Sequence, residues 1–443
     1  MSVVNRLARD IEEQCKVPAV AASGSNVAPY KDYLLKYSNG MPIRSVAIPF
    51  PIAGQTKAMH KAYIEGNDPL TGKPLMQTIV DAFTKPFTDE EKMSGIPPGG
   101  GPVPRLLKPD TEENLYRLFK DNEWTDFNAI VLPTEERVAA MLKGTSRKPD
   151  ELLSRPGNRE LTVEKAAVFA VMADARPEYF PVILATLSGG GGIGNSTSSV
   201  ANMIVINGPV IKELGIHSGM AVMSPMGEAN SAIGRTYTLA GKMSGDVRVK
   251  GGAYSTLGSA LQYNNMTVAE TEDLLPPGWD PLSVTLGFKP TDSVVSIGMG
   301  WSYISSVGEV QLTHGPHMLI ADYMKALAAP SATIIMDPTV ANLLKTAHGF
   351  NSKAELSEWL SKNAEVAAGT YWGNGVNATA NGPLALQGLE PYATWIKLSP
   401  KTMIKPFTSP RAISVVVTGG NVQTTWFLTD FRFSSGILID DWK

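Results

Sequence analysis

Residues 188–199 of this 443-residue sequence read Ser-Gly-Gly-Gly-Gly-Ile-Gly-Asn-Ser-Thr-Ser-Ser. Five glycines free the backbone to approach a ligand closely, and the N–H groups and hydroxyls beside them suit a carboxylate or phosphate. Gly191, Gly192, Asn195, Ser196 and Thr197 are therefore candidate substrate-binding residues. No Gly-Lys-Ser/Thr follows, so the stretch is not a P-loop, and it trails a helical pattern instead of a strand, so it is not a dinucleotide fingerprint. The competing reading is a plain helix-to-strand connection.

A second stretch, residues 225–235, reads Pro-Met-Gly-Glu-Ala-Asn-Ser-Ala-Ile-Gly-Arg. Asn230 is read as a helix cap, and Arg235 falls within two turns of it, on a face shared with Ala232 and Leu239. A helix start with an arginine suits a carboxylate ligand. The alternative is a capped helix whose arginine makes a structural ion pair. For proton transfer the candidates are Glu135, behind the cap Thr134, and Glu178 and Tyr179 in Asp-Ala-Arg-Pro-Glu-Tyr-Phe-Pro. His314 in His-Gly-Pro-His is the fourth. A carboxylate at a helix start is favoured in its charged form, which makes Glu178 a poor general acid. His314 and His317 are two of five histidines, and a metal-dependent hydrolase built on them is one alternative. Their Gly-Pro spacer precludes a helical His-x-x-x-His pair, so the first expectation is no metal and no organic cofactor. Neither Gly-x-Ser-x-Gly nor a paired-carboxylate signature occurs.

The elements that must position these groups read as α/β. Met203–Asn207, Val294–Met299, Thr333–Met336, Ile413–Thr418 and Val422–Leu428 are apolar runs of strand length. Helical patterns separate them, and Ser352 to Glu355 is a capping box. Residues 331–337 and 410–418 look alike, each a Pro/Ser entry followed by a β-branched run, an echo of a repeated half-domain. The expected architecture is mixed sheets flanked by helices, with an extended proline-rich N-terminal arm. Its parts are 1–110 (arm and loops), 111–275 (an α/β domain with the Gly-rich loop) and 276–443 (a second α/β domain). The arm, punctuated by Pro18, Pro29, Pro42, Pro49 and Pro51, is expected to cover a neighbouring subunit in a homo-oligomer.

Composition narrows the function classes. Thirty-nine Lys and Arg against 42 Asp and Glu leave a net charge of −3, with no basic excess to neutralise nucleic-acid phosphates. Apolar residues make up 43%, enough for a core. No apolar run approaches the roughly 20 residues of a membrane span. Cys15 is the one cysteine, which excludes an intrachain disulfide and a Cys-based zinc site. These features, with no signal-peptide pattern at Met1–Lys16, point to a cytoplasmic protein.

Three segments resemble a bacterial family related to UGSC-type (seleno)proteins. They are Thr134-Glu-Glu-Arg-Val, Met172-Ala-Asp-Ala-Arg-Pro-Glu-Tyr-Phe-Pro-Val and Asn230-Ser-Ala-Ile-Gly-Arg-Thr-Tyr-Thr-Leu. Residues 413–420 are similar to its closing Gly-Gly element, and the resemblance spans about residues 130–440. It implies a shared fold and pocket, and by association thiol or selenol redox chemistry. This chain lacks Sec-Gly-Ser-Cys and Cys-x-x-Cys, and carries Ala175 where the family has Cys. Dithiol chemistry within one chain is excluded. The expected function is an enzyme of lyase or hydrolase type acting on a small polar or anionic molecule without thiol chemistry. The alternative from another class is a non-catalytic ligand-binding or partner subunit of a hetero-oligomer.

Overall fold

Ala201–Asn207 (β1) is buried at every position, so it must be covered on both faces. Its side chains alternate: Met203 and Val205 join one core, and Ile204 and Ile206 another. That alternation organises the whole fold. The computed structural model describes residues 7–26, 43–52, 54–93, 105–154, 160–190, 198–245, 247, 255–306 and 314–443.

Two four-stranded sheets stack face to face. Besides β1, the strands are Thr267–Ala269 (β2), Val294–Gly300 (β3), Tyr303–Ser305 (β4), Ala332–Met336 (β5), Ile413–Val417 (β6), Trp426–Thr429 (β7) and Gly436–Leu438 (β8). One sheet has the order β8-β3-β1-β2 and the other β4-β7-β5-β6. In the first, β1 runs parallel to β2 and antiparallel to β3, which is antiparallel to β8. In the second, β5 runs parallel to β6 and antiparallel to β7, which is antiparallel to β4. The two sheets thus repeat one topology, and the fourth strand of each half crosses into the sheet of the other half. Met203, Val205, Val268, Ile335, Val416, Phe431 and Phe433 fill the space between the sheets.

Helices cover both outer faces, giving a four-layer α/β/β/α arrangement. On the first sheet lie Val163–Met172 (α1), Phe180–Ser188 (α2) and Glu228–Ser244 (α3). Phe180, Ile183 and Ile233 meet Ile204 and Ile206 there. The short helix Leu282–Thr285 (α4) contacts β3 and β6. On the second sheet Pro316–Tyr323 (α5), Pro338–Thr346 (α6) and Lys353–Asn363 (α7) bring Ile320, Val340, Leu344, Leu356 and Leu360 against Ile334, Met336, Val415 and Val417. Each fully buried aliphatic side chain contributes about 1.5–3 kcal/mol. Helix α3 comes so close to the loop before β2 that a Cβ on Gly234 would lie 2.0 Å from the Asn264 carbonyl oxygen.

The fold is α/β, as expected, but several details differ. Helix α3 starts at Glu228 with Gly227 as its cap, so Asn230 sits inside the first turn and is buried. The last long strand begins at Trp426. The similar segments at 331–337 and 410–418 are neighbouring parallel strands, β5 and β6. The duplication in the topology instead relates β5 to β1 and β6 to β2. Strands β3 and β8 lie beyond residue 275 yet complete the first sheet, whereas all four strands of the second sheet lie beyond it. In the N-terminal segment Val20–Gly24 pairs in parallel with Arg44–Ile48, and helices occupy Lys57–Glu65 and Leu75–Thr84. Met76, Val80 and Phe83 on the second of these helices are each about half exposed. Among the described residues no helix is long and apolar enough to cross a membrane.

Candidate functional site

Gly191, Gly192, Asn195, Ser196 and Thr197 lie outside the described residues. Arg235 does need a partner on its apolar helix face, and that partner is a protein carboxylate. Its Nε and Nη2 donate to Asp126 at 2.9 and 3.0 Å, and Nη2 also to the Ala129 carbonyl. Burial acts to raise the Asp126 carboxyl, but hydrogen bonds from Arg235 and Asn128 outweigh it and hold it below the usual carboxylate range. Asn230 likewise serves the fold: its Oδ1 accepts from the His217 N–H, and its Nδ2 donates to the His217 and Thr267 carbonyls.

Arg235→Ala leaves Asp126 buried without its cation. The expected loss is roughly 3 kcal/mol, the low end for a broken buried ion pair because 21% of the arginine side chain stays in water. Urea unfolding of the variant measures this directly; an unchanged midpoint would show that the pair contributes nothing.

Of the proton-transfer candidates only Tyr179 is buried, and the turn that carries it and Glu178 contacts the helix that starts at Glu135. Glu135 is exposed and pairs with Arg105 at 3.4 Å. Glu178 is exposed, whereas Tyr179 is buried, and burial first, then the nearby Glu228, pushes its hydroxyl up. His314 is exposed, with Nε2 3.9 Å from Asp322. His317 packs instead against His348 at 4.6 Å and Trp359 at 4.7 Å between ring centroids. Among the described residues no group of three or more His, Cys, Asp and Glu is arranged to hold a metal.

Burial and the neighbouring His348 push His317 down to about 4 from an ordinary 6.5. The unfolded chain takes up this proton as pH falls below about 6.5, while the native state does not until about 4. This contribution to stability is complete above 6.5 and is lost progressively as pH falls toward 4. In His317→Phe the pH dependence of the urea midpoint should flatten across that window. A slope identical to that of the parent chain would show that His317 is not its source.

A different cluster stands where the carboxyl ends of β1, β2 and β6 meet, the place where open α/β sheets bind ligands. Glu270, directly after β2, is fully buried. Its Oε2 accepts from Asn207 Nδ2 at 2.8 Å and the Leu282 N–H at 2.7 Å. Its Oε1 accepts from the Val417 N–H at 2.9 Å and Lys353 Nζ at 2.5 Å. Four donors thus converge on one carboxyl group, and Lys353 is itself 3% exposed. Asn207 also donates to Glu272, which accepts the Gly208 N–H as well.

Lys353 borders a cleft of about 560 Å³ along β6. Helix α7 forms one wall, and the end of α4 with Phe433 the other. Arg411, Arg432, Ser414 and Ser434 line it, and among the described residues no carboxylate does. Arg411 and Arg432 are exposed, and neither guanidinium has an ion pair or hydrogen bond among the described residues. Two unpaired cations, with no acid among the described residues of the wall, make a positive field in a concave, ligand-sized space.

None of Glu270, Lys353, Arg411 and Arg432 follows from a sequence motif. One signal existed. Lys353 is the first residue of a helix capped by Ser352, and a cation at the positive end of a helix dipole implies a compensating acid. No family model, curated protein or solved structure matches this chain. The resemblance to UGSC-type proteins therefore rests on the quoted residues alone.

Proposed function

We propose that this chain acts on a small anionic organic molecule held in the cleft along β6. The observation that carries the reading is the pair Arg411 and Arg432, cations that among the described residues have no partner and share the wall of one cleft with no carboxylate. Guanidinium groups grip carboxylates and phosphates through paired N–H donors. In an enzyme of lyase or hydrolase type, proton transfer falls to Lys353, a buried amine at the cleft, coupled to Glu270. The second reading, a non-catalytic ligand-binding subunit, is favoured by one observation: among the described residues no histidine, cysteine or free carboxylate lines the cleft. Turnover by the isolated chain separates the two. The exposed apolar stripe of Met76, Val80 and Phe83 supports a homo-oligomer in which a second copy covers it.

Calorimetric titration of succinate, inorganic phosphate and uncharged succinamide tests the anion site. The expected result is one-to-one binding of an anion and none of succinamide. Equal binding of the neutral compound, or no binding of either anion, would overturn the reading.

A further inference from the structure

Strand β6 is the edge of its sheet, and its free edge faces the cleft. The Thr418 N–H donates to the Met336 carbonyl. In a parallel ladder this places Ser414, Val416 and Thr418 toward β5, and turns the N–H and C=O groups of Ile413, Val415 and Val417 to the other side. Most of these outward groups are taken. The Val417 N–H donates to Glu270 and its carbonyl accepts from the Thr271 N–H. The Ile413 carbonyl accepts from Ser357 Oγ, and the Ile413 N–H donates to the Pro410 carbonyl. Val415 is left. It is 3% exposed, it lines the cleft, and no described residue pairs with the N–H and C=O on that edge. Buried backbone groups in native proteins find a protein, water or ligand partner.

Resting on the anion reading above, we infer that the cleft takes an N-acylated α-amino acid. Its amide N–H donates to the Val415 carbonyl, and its carboxylate accepts from the Val415 N–H while facing Arg411 and Arg432. An amide N–H and a carboxylate on one α-carbon are spaced as the N–H and C=O of a single strand residue, so the ligand adds one residue to the sheet edge. Because Ile413 and Val417 are already engaged on either side, the added ladder is one residue long. This selects a small molecule over an extended peptide.

The test changes the ligand and leaves the protein intact. Titrations compare N-acetyl-L-alanine, O-acetyl-L-lactate, acetyl-tetraalanine and succinate. The ester has the same charge and shape as the amide but lacks its N–H, which leaves the Val415 carbonyl without a donor. N-acetyl-alanine should bind about tenfold or more tightly than the ester, and the tetrapeptide no more tightly than N-acetyl-alanine. Equal affinity for amide and ester, with succinate bound, would overturn this inference and leave the anion site standing. Tenfold tighter binding of the tetrapeptide would overturn the one-residue limit. Failure of both succinate and N-acetyl-alanine to bind would overturn this inference and the anion site together.

Discussion

Lys353→Met should destabilise this protein by about 3–5 kcal/mol, the cost of leaving a buried charge without its partner. The pair is enclosed: Glu270 has no exposed surface, and Lys353 keeps 4% of its side chain in water. Methionine preserves the length of the side chain, so the loss reflects charge more than volume. The remaining donors to Glu270, from Asn207, Leu282 and Val417, do not neutralise it. Adding Glu270→Gln should return much of the loss, because the amide oxygen still accepts one of those donors and no charge is left behind. Urea unfolding of the parent, both single variants and the double variant measures the coupling. If Lys353→Met lowers the unfolding free energy by less than about 1 kcal/mol, the pair does not anchor the meeting point of the two sheets.

The second large effect concerns binding. Each guanidinium-to-anion hydrogen bond is worth about 1.5–3 kcal/mol. Loss of both Arg411 and Arg432 should therefore weaken succinate binding by a hundredfold or more. Stability should change little, since both side chains are exposed and unpaired among the described residues. Lysine at both positions should restore only part of the affinity, because a point charge does not reproduce the two-pronged fork. Affinity unchanged in the double alanine variant, with an unchanged melting temperature, would place the anion elsewhere.

The α/β class was legible because its strands are short, apolar and separated by helical periodicity, as in Met203–Asn207 and Thr333–Met336. What local pattern does not carry is pairing. Strands β4 and β8 each leave their own half of the chain for the opposite sheet, and nothing in Tyr303–Ser305 or Gly436–Leu438 encodes that exchange. The echo between residues 331–337 and 410–418 is a likeness of adjacent strands, since both are β-branched runs buried in the same way. The true duplication is written in strand order and direction.

The site was less legible for a related reason. Arg235 lies on an apolar helix face, and that alone requires a partner without saying whether the partner is a ligand or Asp126, 109 residues away. The pair Glu270 and Lys353 is separated by 83 residues, and only the crossing of β2, β6 and α7 brings it together. Arg411 and Arg432 stand at opposite ends of the β6–β7 segment, and the cleft between them exists only once α4 and α7 wall it. Motif reading favours glycines, histidines and capped helices, whereas this cleft is built from exposed arginines and a strand edge.

The anion site is tested most directly by calorimetric titration of selenate followed by a crystal structure of the protein grown with selenate at a concentration near the dissociation constant so obtained. The anomalous signal of selenium locates the anion without ambiguity. A selenium peak is expected in the cleft along β6, with the selenate oxygens within hydrogen-bond distance of Arg411 and Arg432, and absent from the double alanine variant. An empty cleft, with selenium bound at another place on the protein, would contradict the proposed site.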